Sequence, residues 1–217
     1  MKARIPERTV ERLSQYRRLL HKASELGMTT VFSHQLAEMA GATAVLVRRD
    51  LMTLGPRPGR PKRGYDVASL SQQLAAFLDA PDGLKVALIG VGNLGSALLP
   101  YFVIYRPNLH IVAAFDTSPR IYGRLQHGCM CHDVRKMETV INAMQVRIAI
   151  LAIPPAPAQE MVDRLVATGI RGILNFAPTH LKAPAEVWVE QIDLGAAMEK
   201  VAFMAQQPLA APKEVSA

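Results

Sequence analysis

The chain has 217 residues, half of them apolar, enough for one large domain or two small ones with real cores. No apolar run approaches the roughly 20 residues of a membrane-spanning helix, and the charged N-terminus leads into no apolar signal segment, so a cytoplasmic protein is expected. The net charge of +7 is confined to one region: residues 1–66 hold 13 Lys/Arg against 6 Asp/Glu, while residues 67–217 hold 12 of each. Such a basic segment suits a polyanion, because each Lys or Arg near a phosphate releases counterions; a solvated basic face is the plainer alternative.

Taken in chain order, Val10, Leu13, Tyr16, Leu19 and Leu20 recur at helical spacing and predict an amphipathic first helix. Leu36, Ala37, Met39 and Ala40 continue the period in a short second helix, with Ser33 placed to cap it. Gly41 interrupts, Thr43 can cap again, and Leu46, Val47, Leu51 and Leu54 mark a third helix. Two short helices joined by a Gly-containing turn outline a helix-turn-helix. The stretch Gly55-Pro-Arg-Pro-Gly-Arg-Pro-Lys-Arg-Gly64 admits neither helix nor central strand. Residues 67–78 read as a further helix and residues 81–83 as a turn.

From there the periodicity changes. Lys85-Val-Ala-Leu-Ile-Gly90, His110-Ile-Val-Ala-Ala-Phe-Asp116, Arg147-Ile-Ala-Ile-Leu-Ala-Ile153 and Gly172-Ile-Leu-Asn-Phe176 are short apolar runs alternating with helical segments. A weaker strand lies near residues 128–131, and a last one over 186–192. This pattern predicts a parallel sheet buried on both faces. Gly90-Val91-Gly92-Asn93-Leu94-Gly95 follows the first of these strands and opens a helix, the context a dinucleotide fingerprint requires. Gly90 permits the tight turn, Gly92 admits a pyrophosphate, Gly95 lets helix and strand pack closely, and the helix N–H groups face the phosphates. Asp116 ends the second strand, 21 residues beyond Gly95. A carboxylate there accepts from the adenosine ribose and repels a 2′-phosphate, favouring NADH/NAD+ over NADP(H). A merely structural turn, and an aspartate capping Ser118-Pro119, are the alternatives. The loops carrying Ile153 and Pro154, and Asn175 and Phe176, should border the same crevice, unless their prolines only terminate strands.

With Ile5-Pro6, Val47-Arg-Arg-Asp-Leu51, Lys62-Arg-Gly-Tyr65, Ala113-Ala-Phe-Asp116, Ala158-Gln159 and Gly169-Ile-Arg-Gly-Ile-Leu-Asn-Phe-Ala-Pro178 added to the glycine motif, the chain resembles the Rex family of redox-sensing repressors over nearly its whole length. The resemblance implies an α/β protein: a winged helix-turn-helix DNA-binding domain over residues 1–80 and a Rossmann-like parallel-sheet domain over 84–193. A helix over 194–207 would be swapped within a homodimer, with a loose tail over 208–217. It further implies no catalysis, binding to a palindromic double-stranded operator with NAD+ or without nucleotide, and release by NADH. By position, Arg18, Tyr101 and Asp193 would couple nucleotide state to domain position. The segment Met52-Thr-Leu-Gly55 and the proline-rich stretch after it depart from the family's recognition helix and wing.

On the third helix Arg48 and Arg49 lie about 100° apart, so at least one faces outward, where it can read guanine; pairing of Arg48 with Asp50 or a first-helix carboxylate is the alternative. Thr43 and Ala44 are placed to touch phosphate and base edge. Arg57, Arg60, Lys62 and Arg63 suit phosphate or minor-groove contact, or else a flexible linker. His127, Cys129, Cys131 and His132 could form a metal or redox cluster, but the cysteines stand at strand spacing without C-x-x-C geometry, so a structural role and no metal are expected. Trp188 is expected to pack in the last strand and the methionines to fill the core. A dehydrogenase or a CoA-binding module without DNA activity are the rival classes.

Overall fold

The computed structural model describes residues 5–55, 64–80, 83–106 and 108–207, and separates into two compact units, Met1–Asp82 and Gly83–Ala217. The first unit contains α1 (Glu7–Glu25), β1 (Thr30–Val31), α2 (Ser33–Ala40), α3 (Ala44–Leu51), a 3-10 turn (Met52–Leu54), β2 (Tyr65–Asp66) and α4 (Val67–Leu78). α1 buries Thr9, Leu13, Tyr16, Leu20 and Ala23, a three-four spacing that lays one face on the core. Val10, expected on that face, is exposed and Thr9 takes its place. Leu36, Ala37, Val47, Leu51, Val67, Leu70 and Leu74 complete the core, so α2 and α3 stand as a helix-turn-helix against α1 and α4.

The turn between α2 and α3 is built by caps. Gly41 ends α2 in the left-handed region at φ 63°, and the Thr43 hydroxyl accepts from Leu46 N at 3.2 Å. Ser33 does not cap α2. The cap position falls on Phe32, whose N–H is met by Gln35 Oε1 at 2.8 Å. β1 and β2 pair antiparallel across the segment that carries residues 56–63. Arg57, Arg60, Lys62 and Arg63 lie outside the described residues, as do the turn residues 81–82 and the tail from residue 208.

Asp50, at the end of α3, is almost wholly buried. Its carboxylate accepts from Arg12 Nε at 2.6 Å, from Arg12 Nη2 at 2.7 Å and from the Tyr16 hydroxyl at 3.0 Å. Burial, and then the neighbouring Asp50, push the Tyr16 phenol up to about 12, so it remains a donor. This fork-shaped pairing fixes α3 on α1. A second ion pair, Arg17 Nη1 to Asp79 Oδ1 at 2.7 Å, ties α1 to the end of α4.

The second unit is a seven-stranded sheet flanked by helices. Its strands are β3 (Leu84–Ile89), β4 (Leu109–Asp116), β5 (Leu125–Gln126), β6 (Cys129–Asp133), β7 (Ile148–Leu151), β8 (Gly172–Asn175) and β9 (Trp188–Gln191). The order is β5-β6-β4-β3-β7-β8-β9, parallel except for the β5–β6 hairpin. Leaving β5 aside, this is the Rossmann order, with the reversal between β3 and β7. The helices are α5 (Asn93–Tyr105), α6 (Met137–Met144), α7 (Ala158–Ala167) and α8 (Leu194–Ala205). Ala87, Ile89, Ala113 and Phe115 meet α6 and α7 on one face, while Val86, Leu88, Ala114 and Cys131 meet Leu99 of α5 on the other.

The region near residues 128–131 is a hairpin rather than a lone strand. Gln126 faces Cys129, and the two residues between them, His127 and Gly128, both have positive φ, 48° and 83°, as a type I′ turn requires. Trp188 is not packed away: it stands on the edge strand β9, half exposed, and its indole N–H donates to Glu190 at 3.3 Å. Among the described methionines only Met137 and Met161 are buried, whereas Met39, Met52, Met130, Met198 and Met204 are exposed. No residue of α8 is buried.

Replacing Asp50 by Ala strands the Tyr16 hydroxyl and the Arg12 guanidinium. The expected cost is on the order of 3 kcal/mol, read as lost hydrogen-exchange protection of α1 and α3 amides with the second unit unaffected. Full protection in Asp50→Ala would contradict the pairing.

Candidate functional site

At the carboxyl end of β3 two glycines are enforced by backbone crossing. A Cβ on Gly95 would sit 1.9 Å from the Gly90 carbonyl oxygen, and one on Gly90, at φ 90°, would sit 2.4 Å from the Ala152 oxygen and 2.7 Å from Ile153 Cγ2. Gly95 therefore lets α5 press on the turn, and Gly90 lets the loops after β3 and β7 touch. Gly92 differs: a Cβ there meets nothing within 4 Å, and it is the cap residue of α5. Open space thus lies before a helix N-terminus that carries a partial positive charge.

Asp116, at the end of β4, turns its carboxylate into this loop. Oδ2 accepts from Val91 N at 2.8 Å and Oδ1 from Ser118 N at 2.8 Å. The aspartate braces both turns at once, and each oxygen retains a lone pair for a further donor. Asn93 and Leu94 are exposed on the first turn of α5, and Val91 is buried beside Phe176 in the same apolar cluster. Ile153 lies over Gly90, with Pro154 exposed after it. Asn175 behaves otherwise. Its side chain is fully buried, donating to Ala177 O, Thr179 O and Gln191 Oε1 and accepting from Ala177 N, so it shapes the loop and has no polar atom turned outward. The structure therefore gathers Gly90–Gly95, Asp116, Ile153 and Phe176 at one end of the sheet. That set fits a dinucleotide: open space at Gly92, helix amides for phosphates and a carboxylate for ribose hydroxyls.

In the first unit, Arg48 and Arg49 are both exposed on α3. Arg48 does not pair with Asp50, which Arg12 holds; its Nη1 donates instead to Ser33 Oγ at 3.0 Å. Thr43 is exposed and Ala44 half-buried at the start of the same helix. Arg18 is exposed on α1, donating to Ser14 Oγ at 3.4 Å. In the second unit, Tyr101 is half exposed with its ring 5.0 Å from that of Tyr105, and Asp193 caps α8 by accepting from Ala196 N at 2.9 Å.

Cys129 and Cys131 are buried, and burial pushes both thiols up to about 11. His132 lies beside Phe115, and its Nε2 is buried with no hydrogen-bond partner among the described residues. Among those residues no group of three or more His, Cys, Asp and Glu could hold a metal ion, and no helix is long and apolar enough to cross a membrane. Sequence reasoning missed Arg12, Tyr16 and Asp50 as one unit. The signal available was Arg12 and Tyr16 at an i, i+4 spacing on a helix that had to meet α3.

Two family descriptions match the chain: "Putative DNA-binding protein N-terminus" over residues 4–51 and "CoA binding domain" over residues 82–179. The redox-sensing transcriptional repressor Rex of Rhodopirellula baltica is 38% identical over 205 residues, covering 94% of this chain and 86% of that one. The repressor of the same name from Lactobacillus acidophilus is 37% identical over 202 residues, 93% and 95% of the two chains. Among solved structures, the Rex-family repressor RSP in complex with beta-NAD+ and operator DNA superposes with a TM-score of 0.86 at 31% identity, covering 94% of each chain. RSP in complex with beta-NADH gives 0.83 at the same identity, covering 94% of this chain and 95% of that one.

With both thiols at about 11, only about one in a thousand is ionised at pH 8. Cys129 and Cys131 should therefore resist a thiol reagent in the native protein at pH 8 and react after denaturation. Rapid labelling of the native protein would show the thiols to be open to direct oxidation.

Proposed function

This chain belongs to the Rex family of redox-sensing transcriptional repressors, and we propose that it holds a palindromic operator when bound to NAD+ or free of nucleotide and lets go when NADH binds. The observation that carries this reading is the Asp116 carboxylate braced on Val91 N, opposite an open Gly92, in a chain whose other unit is a basic helix-turn-helix.

The nucleotide would lie with its pyrophosphate at the start of α5, Gly90 to Gly95 around it, and its adenosine ribose on Asp116. Ile153, Pro154 and Phe176 would line the nicotinamide side of the crevice, with Asn175 shaping that loop from within. Asp116 disfavours a 2′-phosphate and equally the 3′-phosphate on the ribose of coenzyme A, which argues for NAD(H) within a domain type also used for CoA. The nucleotide is an effector here and not a reactant, in keeping with relatives that are transcription regulators.

On DNA, α3 would enter the major groove, with Arg49 and the Ser33-steadied Arg48 toward base edges and Thr43 and Ala44 at the helix start beside the backbone. Arg57, Arg60, Lys62 and Arg63 supply further positive charge for phosphates. A palindromic operator calls for two copies. Leu194, Met198, Val201, Phe203 and Met204 of α8 and Tyr101, Val103, Ile104 and Tyr105 of α5 are exposed apolar residues that a second chain would cover. We assign α8 to a swapped position in that homodimer, and Arg18, Tyr101 and Asp193 to the switch. Such a protein works in the cytoplasm, beside its DNA.

NADH can move the equilibrium only by its differential affinity for the two dimer forms. Fluorescence anisotropy on a labelled palindromic operator should show release by NADH and retention with NAD+; operator binding indifferent to both nucleotides would end this reading. Asp116→Ala should weaken NADH about tenfold to a hundredfold, the worth of a charged hydrogen bond, with nucleotide-free operator binding unchanged. NADH affinity equal to wild type would remove Asp116 from the site.

A further inference from the structure

The buried side of α3 is set by Val47, Asp50 and Leu51, so the direction opposite them follows from helix geometry. At about 100° per residue the middle of that opposite face falls on Val45. Seven positions later Met52, still helical at φ −63° and ψ −22°, returns to within about 20° of the same line. Both are well exposed, Val45 at 67% and Met52 at 73%. Arg48 and Arg49, also exposed, fall about 60° to one side of Val45 and about 40° to the other. The basic face of α3 therefore carries an apolar centre line between two guanidinium groups. One flank is held, since Arg48 Nη1 donates to Ser33 Oγ at 3.0 Å. Ala44 lies about 100° round from Val45 and is half-buried, off that line.

A lone exposed valine is ordinary on a protein surface. This one stands on a line with Met52, opposite the core, at a place where alanine would make the better helix. Neither packing nor helix propensity accounts for it. In the major groove the polar atoms of base edges call for hydrogen bonds, which a valine cannot supply. The apolar group a base edge offers there is the C5 methyl of thymine. We propose that Val45 is a specificity-determining residue: it packs on the methyl group of one thymine in each operator half-site, while Arg48 and Arg49 take acceptors to either side. This rests on the DNA-binding reading given above. Val45 lies in the first turn of α3, where a helix in the groove meets base edges. Cytosine at that place would bring its amino group against the valine and lose a hydrogen bond to water without gaining a partner. Thymine is selected by what the valine lacks as much as by its methyl groups.

The test uses the full chain. A palindromic duplex is recovered from a random-sequence pool by binding to the wild-type protein, and each of its thymines is then replaced singly by uracil, which lacks only the methyl group. Affinity is read by fluorescence anisotropy without nucleotide. For wild type, uracil at one position of each half-site should weaken binding about fourfold, the worth of one buried methyl group. Val45→Ser should bind the thymine and uracil duplexes alike at that position. Val45→Thr, which restores one methyl group and the shape of valine, should regain the preference. A merely structural role for Val45 would alter stability and leave the preference alone. A wild type indifferent to uracil at every position, or a Val45→Ser protein that keeps the preference, overturns the contact, with operator binding and its release by NADH still standing. A wild type that recovers no duplex from the pool overturns the DNA-binding reading and the contact with it. Should Val45→Ser bind no duplex, Val45→Thr decides: the preference retained supports the contact, and preference or binding lost overturns it.

Discussion

The second unit depends on one steric fact, the passage of Gly95 across the Gly90 carbonyl. No side chain fits between them, since even a methyl group would stand 1.9 Å from the oxygen. Because that contact is allowed, α5 starts directly over the end of β3, and its unpaired N–H groups point past Gly92 into open space. Gly90 makes the same concession to the loop after β7, so the strands on either side of the order reversal bring their ends together. Asp116 then joins the third loop by accepting from Val91 N. Crevice, helix terminus and acid are consequences of two backbone segments being free to touch.

The first unit solves a different problem, holding a short helix still while leaving its basic face open. Eight residues of α3 bury only Val47, Leu51 and Asp50, too little apolar surface to fix an orientation unaided. The charged fork from Arg12, with the Tyr16 hydroxyl, supplies direction that apolar contacts lack. A buried ion pair is weak evidence for stability because desolvation offsets much of its attraction, but it is a strong constraint on geometry. Arg48 and Arg49 stay exposed because the acid beside them is already engaged.

Much of this was legible in the sequence because it is local. The Thr43 cap, the strand runs, the glycine spacing and the acid ending β4 each follow from residues within a few positions of one another. What escaped depends on partners far along the chain. Asp50 reads only as a possible partner for Arg48 until Arg12, 38 positions earlier, is brought to it. Asn175 falls in a loop that faces the crevice, yet its amide is turned inward by Gln191, Ala177 and Thr179, and spacing alone does not reveal which way a side chain turns. Trp188 looked like core because aromatic residues usually are, but β9 is the sheet's last strand and covers it on fewer sides. Ser33 lost its cap position by one residue, a slip that helix ends invite.

The His127–Gly128 turn bears on how crowded copies of this molecule behave. Without it β6 would end the sheet as a five-residue ladder with one row of amides and carbonyls unpaired, a template for any extended peptide. The fold lays down a two-residue strip, β5, along that row and stops. At that border a neighbouring chain finds only two residues of strand to pair with, so edge-to-edge growth of the sheet is disfavoured on this side.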